Sequence, residues 1–223
     1  MVMTLRSLRP LLLVALLPAA WSQSFRFGLK AGVPITEYFE MGSSTPGAYS
    51  AATRRYTVGA SGEWRLKPAL GFEADVLYHR MGYVGIVNTF NRANGDYSNS
   101  AIDVKGNSWD FPVMAKYRFG RPYVAGGGVL RYVGPVRGRG ELTTGSLVTR
   151  SSTTVPLDTT EPSELRKRFY PGLTAAGGIE IGAGRLRLLP ELRYTRWTAN
   201  IGGPGASLRF APNQVEFLLG MLF

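Results

Sequence analysis

The chain has 223 residues, 28 of them glycine, with 12% aromatic residues, no cysteine and a formal net charge of +11. This length suits one domain with a substantial interior, and the composition favours a β-rich globular or membrane chain. The absence of cysteine excludes disulfides, thiolate metal sites and a lipid-anchored N-terminal cysteine. We expect no nucleic-acid partner, because the sequence has no basic helix, stacking platform or zinc spacing.

The N-terminus has the form of a secretory signal. Two arginines precede an apolar run over residues 11–17, which is too short to span a bilayer as a helix, and small residues follow. We predict cleavage after Ser22, so that residues 1–22 are a signal peptide and residues 23–223 form the mature domain. An N-terminal anchor helix is the alternative interpretation.

From residue 25 onward, apolar and polar residues alternate with the period of two that β-strands show. The pattern predicts eight strands, which are, in chain order, SFRFGLKAGVP, RYTVGASGEWRL, LGFEADVLYHRM, SWDFPVMAKYRFG, PYVAGGGVLRYVG, FYPGLTAAGGIEIG, RLRLLPELRYTRW and NQVEFLLGMLF. The faces of the fifth strand stay unassigned, because its glycines fall on both parities. Pro112 and Pro190 each remove a ladder donor, so we expect local bulges there.

The connections between these strands alternate strictly between short and long. Short ones lie near residues 66–69, 119–122 and 182–185, and long ones near 35–53, 83–107, 134–167 and 198–212. Outer-membrane barrels have this form, with short periplasmic turns and long extracellular loops. The sequence therefore predicts an all-β fold, an eight-stranded antiparallel up-and-down transmembrane β-barrel.

Charged strand residues share one parity, which fits a barrel whose interior is filled by side chains and whose apolar face meets lipid. The predicted lumen charge network comprises Arg26, Arg55, Glu63, Arg65, Glu73, Asp75, Asp110, Lys116, Arg118, Glu180, Arg187, Glu191, Arg193 and Glu216. Lys30 lies on the same parity. Arg80 and Arg196 break it, but both lie near loop ends, where a cation facing lipid costs only about 0–1 kcal/mol.

Aromatic residues cluster at both ends of the strands, as in the two interfacial girdles of a membrane barrel. The girdle beside the short turns is predicted to contain Phe25, Phe27, Trp64, Phe72, Phe119, Tyr123 and Phe223. The other is predicted to contain Tyr56, Tyr78, Trp109, Phe169 and Tyr194. A secreted, lipocalin-like barrel with these aromatics in its core is the alternative.

The segments LGFEADVLYHRMGY, WDFPVMAKYRFGRPYVAGGG, LLPELRYTRW and VEFLLGMLF resemble the small outer-membrane β-barrel domain family, of the PorT and OmpX/OmpA-like type. The resemblance covers essentially the whole mature chain. It implies a location in the outer membrane of a Gram-negative bacterium, and members of the family mostly lack an assigned activity. The last strand resembles the C-terminal recognition strand of such proteins, with Phe217 and Phe223 as an assembly signal for the barrel-assembly machinery.

Few residues suggest chemistry. His79, the single histidine, lies on the lumen parity without a serine at a recognisable spacing, so a lumen hydrogen bond to Glu73, Asp75 or an arginine is favoured over a lipid-A deacylase site. The loop NRANGDYSNSAID lacks the spacing of a calcium loop. The glycines of 125–129 lack the Lys-Ser/Thr of a phosphate loop. We predict no catalytic residue, no metal and no cofactor.

The third long loop is basic through PVRGRGE at 135–141 and Arg166, Lys167 and Arg168. Because lipopolysaccharide carries phosphates, this patch is a candidate lipid A site, although loop solubility explains it equally well. We therefore expect a monomeric structural or surface-interaction protein whose partners are outer-membrane lipid, lipopolysaccharide and, during biogenesis, the assembly machinery. A lipid-modifying outer-membrane enzyme or a narrow solute pore is the alternative.

Overall fold

A computed structural model describes residues 25–41, 48–51, 55–159, 168–184, 186–198 and 208–223. The predicted signal peptide over residues 1–22 lies outside these ranges, as do Arg166 and Lys167. Within the described ranges, no helix is long and apolar enough to cross a membrane.

The structure is built from β-strands. In chain order these are β1 (Phe25–Pro34), β2 (Phe39–Met41), β3 (Ala48–Ala51), β4 (Thr57–Arg65), β5 (Leu70–Asn91), β6 (Asp96–Arg118), β7 (Pro122–Val133), β8 (Arg137–Ser146), β9 (Ser151–Thr159), β10 (Phe169–Ile179), β11 (Ile181–Ala183), β12 (Leu186–Trp197), β13 (Leu208–Phe210) and β14 (Asn213–Leu222). Eight of them, β1, β4, β5, β6, β7, β10, β12 and β14, form a closed antiparallel ring in that order. The predicted eight-stranded up-and-down barrel is confirmed.

The ring closes where β1 pairs with β14, from Gly28↔Leu222 to Pro34↔Glu216. Two glycines allow this seam to close tightly. A Cβ atom on Gly28 would lie 2.2 Å from the backbone oxygen of Met221, a distance that requires the strands to move apart. Gly32 is equally confined by the backbone oxygen of Phe217, so the seam needs residues without side chains at both positions.

The distribution of side chains is inverted relative to that of a water-soluble protein. Outward-facing apolar residues such as Val113 and Leu173 are 57% and 62% exposed, whereas Glu63 and Lys116 are fully buried inside the ring. A lipocalin-like barrel would bury its apolar face and expose its charges. The outward apolar surface therefore favours the membrane barrel over that alternative.

Two barrel strands extend far beyond the barrel wall. β5 has 22 residues and β6 has 23, against the roughly 9–11 that a membrane-crossing strand needs. Their excess adds roughly 35–40 Å along the strand direction. There, β3 pairs with β5, β8 pairs with β6, and β9 pairs with β8. Because short turns are expected on the periplasmic side of an outer-membrane barrel, we call this five-stranded assembly, on the opposite side, the extracellular sheet.

The extracellular sheet corrects the prediction of long loops over 83–107 and 134–167, since most of these residues are strand. The polar tract from Asp96 to Asn107 pairs continuously with β5, and residues up to Lys105 also pair with β8 on their other side. Both faces of the sheet meet water over much of its length, so no apolar alternation marks it in the sequence. Loops 35–53 and 198–212 likewise contain the short strands β2 and β13, which pair with each other.

The two strand prolines do not produce the predicted bulges. The β5–β6 ladder omits Pro112 and Phe111 and then resumes in the same register, while Pro112 stays paired with Val129 on β7. Pro190 likewise interrupts pairing on the β10–β11 side without shifting the register of β12. Each proline removes one donor toward one neighbouring strand, so a gap in that ladder suffices and no extra residue is inserted.

Candidate functional site

The barrel interior is filled by charged side chains at three levels. The level nearest the short turns holds Arg26, Glu63, Arg65, Arg118, Glu180 and Arg187. Glu180 lies 2.9 Å from Arg65 and 3.2 Å from Arg118. Because four arginines here face two glutamates, and the side chains of Arg65 and Arg187 keep 22% and 33% exposure, the end beside the short turns carries net positive charge.

The middle level holds Lys30, Glu73, Asp75, Lys116, Glu191 and Arg193. Lys116 Nζ lies 2.6 Å from Glu73, and Lys30 Nζ lies 3.1 Å from Asp75 and also contacts Glu73. All six residues are at most 3% exposed, and three cations face three carboxylates. An unpaired buried charge is costly, so this balance lets the level stay closed to water.

The outer level surrounds His79, which is completely buried. Its Nε2 atom lies 3.1 Å from Asp110, and its Nδ1 atom lies 2.9 Å from the Thr57 hydroxyl and 3.3 Å from Glu216. The Tyr38 hydroxyl is 2.5 Å from the same Nδ1 atom. Burial, followed by the charge of Glu216, raises the pKa of Tyr38 well above its ordinary value, so its hydroxyl remains a donor. Nδ1 is therefore hydrogen-bonded, whereas Nε2 lies beside the Asp110 carboxylate without forming a hydrogen bond to any atom of the described part of the chain.

A serine does lie beside His79 in space, contrary to the expectation from spacing. Ser108 is the register partner of His79 on β6, and Asp110 completes a Ser, His and acid set. The Ser108 hydroxyl is buried and makes no hydrogen bond within the described part of the chain. Because the Ser108 hydroxyl makes no hydrogen bond to the His79 ring, the set lacks the nucleophile–base contact of a triad.

An apolar plug closes the barrel above this level. It consists of Tyr38, Phe39, Met81, Tyr83, Val104, Val129, Val133, Val136, Tyr170 and Trp197. Arg131 joins the plug to the charged interior. Its guanidinium makes two bonds of 2.7 Å to Asp110 and lies 4.2 Å from the centre of the Trp197 ring. The segment after β1, which carries Tyr38 and Phe39, thus folds inward as a cover.

The structure places the residues of the predicted charge network at these levels, except Arg55. Arg55 lies before β4 begins, at the rim, and pairs with Glu37. Lys30, absent from the predicted network, is central to the middle level. Within the described ranges, no group of three or more His, Asp or Glu side chains could hold a metal ion.

The fifth predicted strand, now β7, contains the residues that the sequence reasoning missed. Tyr123 is 2% exposed and donates to Glu191 at 2.8 Å, so its placement in the lipid-facing girdle was wrong. Arg131, eight residues further along the strand, points inward as well. The sequence did contain a signal for this placement. A charged residue in the middle of a membrane strand belongs in the interior, and Tyr123 has the same parity as Arg131, so it belongs to the same face.

At the outer interface, the aromatic residues form a girdle of ring contacts. The Tyr78 and Trp109 rings lie 5.1 Å apart, and those of Tyr132 and Phe169 lie 5.2 Å apart. At the other interface, Phe223 faces outward and is 63% exposed, whereas Phe217, 44% exposed, lies on the same face but six residues nearer the outer interface. These positions match the two membrane interfaces of a barrel.

Two matching polar clusters sit at this outer girdle. Tyr78 donates to the side-chain oxygen of Asn107 at 2.8 Å, and Arg80 donates to the same oxygen at 3.2 Å. On another part of the ring, Asn213 accepts from Tyr194 at 2.7 Å and from Arg196 at 2.6 Å. The two arginines that break the charge parity are thus each fixed at the outer interface by a tyrosine–asparagine pair.

A closed antiparallel ring with lipid-facing apolar side chains and an ionic interior defines a transmembrane β-barrel. The sequence profile of the outer membrane protein beta-barrel domain family matches residues 21–196. The chain therefore belongs to this family and is a protein of the bacterial outer membrane.

Several solved outer-membrane proteins are similar to this chain. Ail, the attachment invasion locus protein of Yersinia pestis, solved with the heparin analogue sucrose octasulfate, is 10% identical over 90% of this chain and 99% of its own, with a TM-score of 0.39. Neisserial surface protein A is 12% identical over 89% and 94%, with a TM-score of 0.35. AlkL is 15% identical over 90% and 88%, with a TM-score of 0.33. No curated protein sequence matches the chain.

Proposed function

We propose that the protein is a non-catalytic surface-interaction barrel that presents the extracellular sheet on a closed membrane anchor. The observation that carries this proposal is the extension of β5 and β6 well beyond the membrane, with β3, β8 and β9 paired alongside. An anchor alone needs no such extension. We expect the barrel to be monomeric, since its own strands close the ring.

The two hairpin tips of the sheet support a contact role. Leu147 donates its backbone N–H to Gly95 at 2.9 Å, which joins the β8–β9 tip to the β5–β6 tip. At the joined tips, Phe90, Leu147 and Val148 are 54%, 64% and 75% exposed. Large apolar side chains grouped at the outermost point of a protein indicate a contact surface.

The interior argues against the two alternative functions. A solute pore needs a water-filled path, whereas the middle level is buried and the apolar plug lies above it. A lipid-modifying enzyme needs a nucleophile and base that reach the outer-leaflet lipid, whereas His79 and Ser108 are completely buried in the interior. We expect no unitary conductance in planar bilayers, and a stable conductance would instead support the pore.

We also propose the lipid and biogenesis partners. Lipopolysaccharide would surround the barrel in the outer leaflet, and the outward-facing Phe217 and Phe223 of the last strand are available to the barrel-assembly machinery. These partners follow from the membrane location and from the form of the last strand.

The contact role is tested with intact cells that produce either the wild type or Leu147→Ser/Val148→Ser. We expect the double variant to reduce cell attachment and cell–cell aggregation severalfold. Val155→Ser is the matched control, because Val155 is exposed on β9 but lies away from the tips. Equal surface amounts and heat-modifiable gel migration establish that each barrel is folded. Unchanged attachment by the tip variant would contradict the proposal.

A further inference from the structure

A basic cleft of about 410 Å³ opens on the outer surface of the extracellular sheet. Its charged and amide-bearing lining residues are Arg80, Asp103, Lys105, Asn107, Arg137 and Arg139. Four of these are cations and one is a carboxylate. The cleft therefore carries a concentrated positive charge on the surface that faces neighbouring lipid.

The height of the cleft follows from the strand register. Arg80 pairs with Asn107, and the next pair of the same face toward the membrane is Tyr78 with Trp109, in the outer girdle. Two residues along a strand span about 7 Å. Because aromatic girdles mark the level of the lipid headgroups, the base of the cleft lies at or just above the headgroups of the outer leaflet.

The cations of the cleft are incompletely neutralised by the protein. Lys105 Nζ lies 2.5 Å from Asp103, but Lys105 also stands directly opposite Arg137 in the β6–β8 register. Like charges directly opposite each other on one face destabilise a sheet. In the strand register, Arg139 stands opposite Asp103 on one side and Asp158 on the other. Even so, neither Arg139 nor Arg137 comes close enough to a carboxylate to form an ion pair within the described ranges. An anion in the cleft would relieve this repulsion.

The base of the cleft is fixed for anion binding. Asn107 accepts from both Tyr78 and Arg80, which holds the Arg80 guanidinium above the girdle. Only one Arg80 nitrogen is used in that bond. Guanidinium groups bind phosphate with two parallel donors, and lysine adds a compact point charge.

A second polar cluster at the outer girdle provides an internal control for this cleft. The cluster of Tyr194, Arg196 and Asn213 repeats the arrangement at the same interface. Among the described strands, those of the extracellular sheet are β3, β5, β6, β8 and β9, and none of them flanks that second cluster on β12 and β14. It therefore lacks counterparts of Lys105 and Arg137 in the sheet and offers a matched arginine without the cleft.

We propose that the cleft binds a phosphate group at the outer-leaflet surface, with Arg80, Lys105 and Arg137 as ligands. The phosphate comes either from the headgroup of a phosphorylated glycolipid beside the barrel or from a soluble phosphate compound. This inference rests on the proposed function only in placing the sheet outside the cell. It assigns a ligand to a site below the hairpin tips.

The test measures binding of bisphosphorylated lipid A, and of the same lipid after dephosphorylation, to the purified barrel in bicelles. We expect wild type to prefer the phosphorylated lipid and Lys105→Gln/Arg137→Gln to bind it at least tenfold more weakly. Arg196→Gln is expected to stay within twofold of wild type. No preference for the phosphorylated lipid, an unchanged double variant, or an equal loss in Arg196→Gln would overturn the proposal.

Competition by inorganic pyrophosphate distinguishes the two sources. Displacement of the lipid by millimolar pyrophosphate supports a site for soluble phosphate compounds. Phosphate-dependent lipid binding that pyrophosphate does not displace supports the lipid headgroup. The tip variant Leu147→Ser/Val148→Ser should bind phosphate normally, so loss of attachment and loss of phosphate binding report separately on the proposed function and on this site.

Discussion

Removing one carboxylate from the middle level tests whether charge balance holds the interior together. Glu73→Gln keeps the size of the side chain and removes its charge. In the wild type, Glu73 contacts Lys30 and lies 2.6 Å from Lys116 and 3.5 Å from Arg193. The variant leaves three cations facing two carboxylates in a level that is closed to water.

The expected loss of unfolding free energy depends on the ion pairs that each cation retains in the variant. Lys30 retains Asp75 at 3.1 Å, and Lys116 retains Glu63 at 3.2 Å. The glutamine oxygen can still accept one hydrogen bond. Breaking a buried ion pair costs about 3–5 kcal/mol, and these retained contacts place the expected loss near the lower end, at about 3 kcal/mol of unfolding free energy.

The measurement is urea-induced unfolding of the barrel in lipid vesicles, followed by tryptophan fluorescence and heat-modifiable migration. Lys116→Gln in the Glu73→Gln background restores the balance, so we expect the double variant to recover at least half of the loss. Asp103→Asn, which breaks the exposed pair with Lys105, should cost no more than about 1 kcal/mol. A loss below 1 kcal/mol for Glu73→Gln, or no recovery in the double variant, would refute the reasoning.

Two further predictions concern the seam and the last residue. Gly28→Ala should destabilise the barrel by about 1–3 kcal/mol, because the added Cβ atom meets the β14 backbone. Gly182→Ala is the control and should be nearly neutral in the same unfolding assay, because its Cβ atom would lie in open space. Equal effects would contradict the tight seam. Phe223→Ser should reduce the amount of protein assembled in the outer membrane, measured by heat-modifiable migration of membrane fractions, while Phe119→Ser, at 64% exposure against 63%, should not. Equal losses would mean that position 223 acts only as one girdle residue among others.

The barrel strands were predictable because one physical rule acts on each of them. Lipid on one side and a filled ionic interior on the other impose a strict period of two, so Glu180 and Glu216 are assignable to the interior from parity alone. The rule is less informative in β7, because glycines on both parities leave the two faces of that strand without an apolar and polar contrast. There the charge of Arg131 was the remaining guide to Tyr123.

The extracellular sheet and the plug were not predictable in the same way. Residues from Asp96 to Asn107 read as a polar loop, because a sheet wetted on both faces needs no apolar alternation. Tyr38 and Phe39 read as loop residues too. Their inward placement depends on Arg131 and Trp197, which lie far away in the chain. Long-range pairing of this kind leaves no local signal.

The basic cleft illustrates the same limit at the site. The sequence indicated basic character in PVRGRGE, which contains Arg137 and Arg139. It gave no reason to join them with Arg80 and Lys105, which come from two other strands. Only the register of β5, β6 and β8 brings the four cations to one surface.

The central claim, a barrel with the sheet outside the cell and the short turns inside the periplasm, is tested most directly by cysteine labelling. Because the chain has no cysteine, one introduced thiol is the only target of a membrane-impermeant maleimide. We predict that Val148→Cys is labelled on intact cells and that Pro68→Cys, in the turn between β4 and β5, is labelled only after the outer membrane is opened. Labelling of Pro68→Cys on intact cells with protection of Val148→Cys would contradict the account.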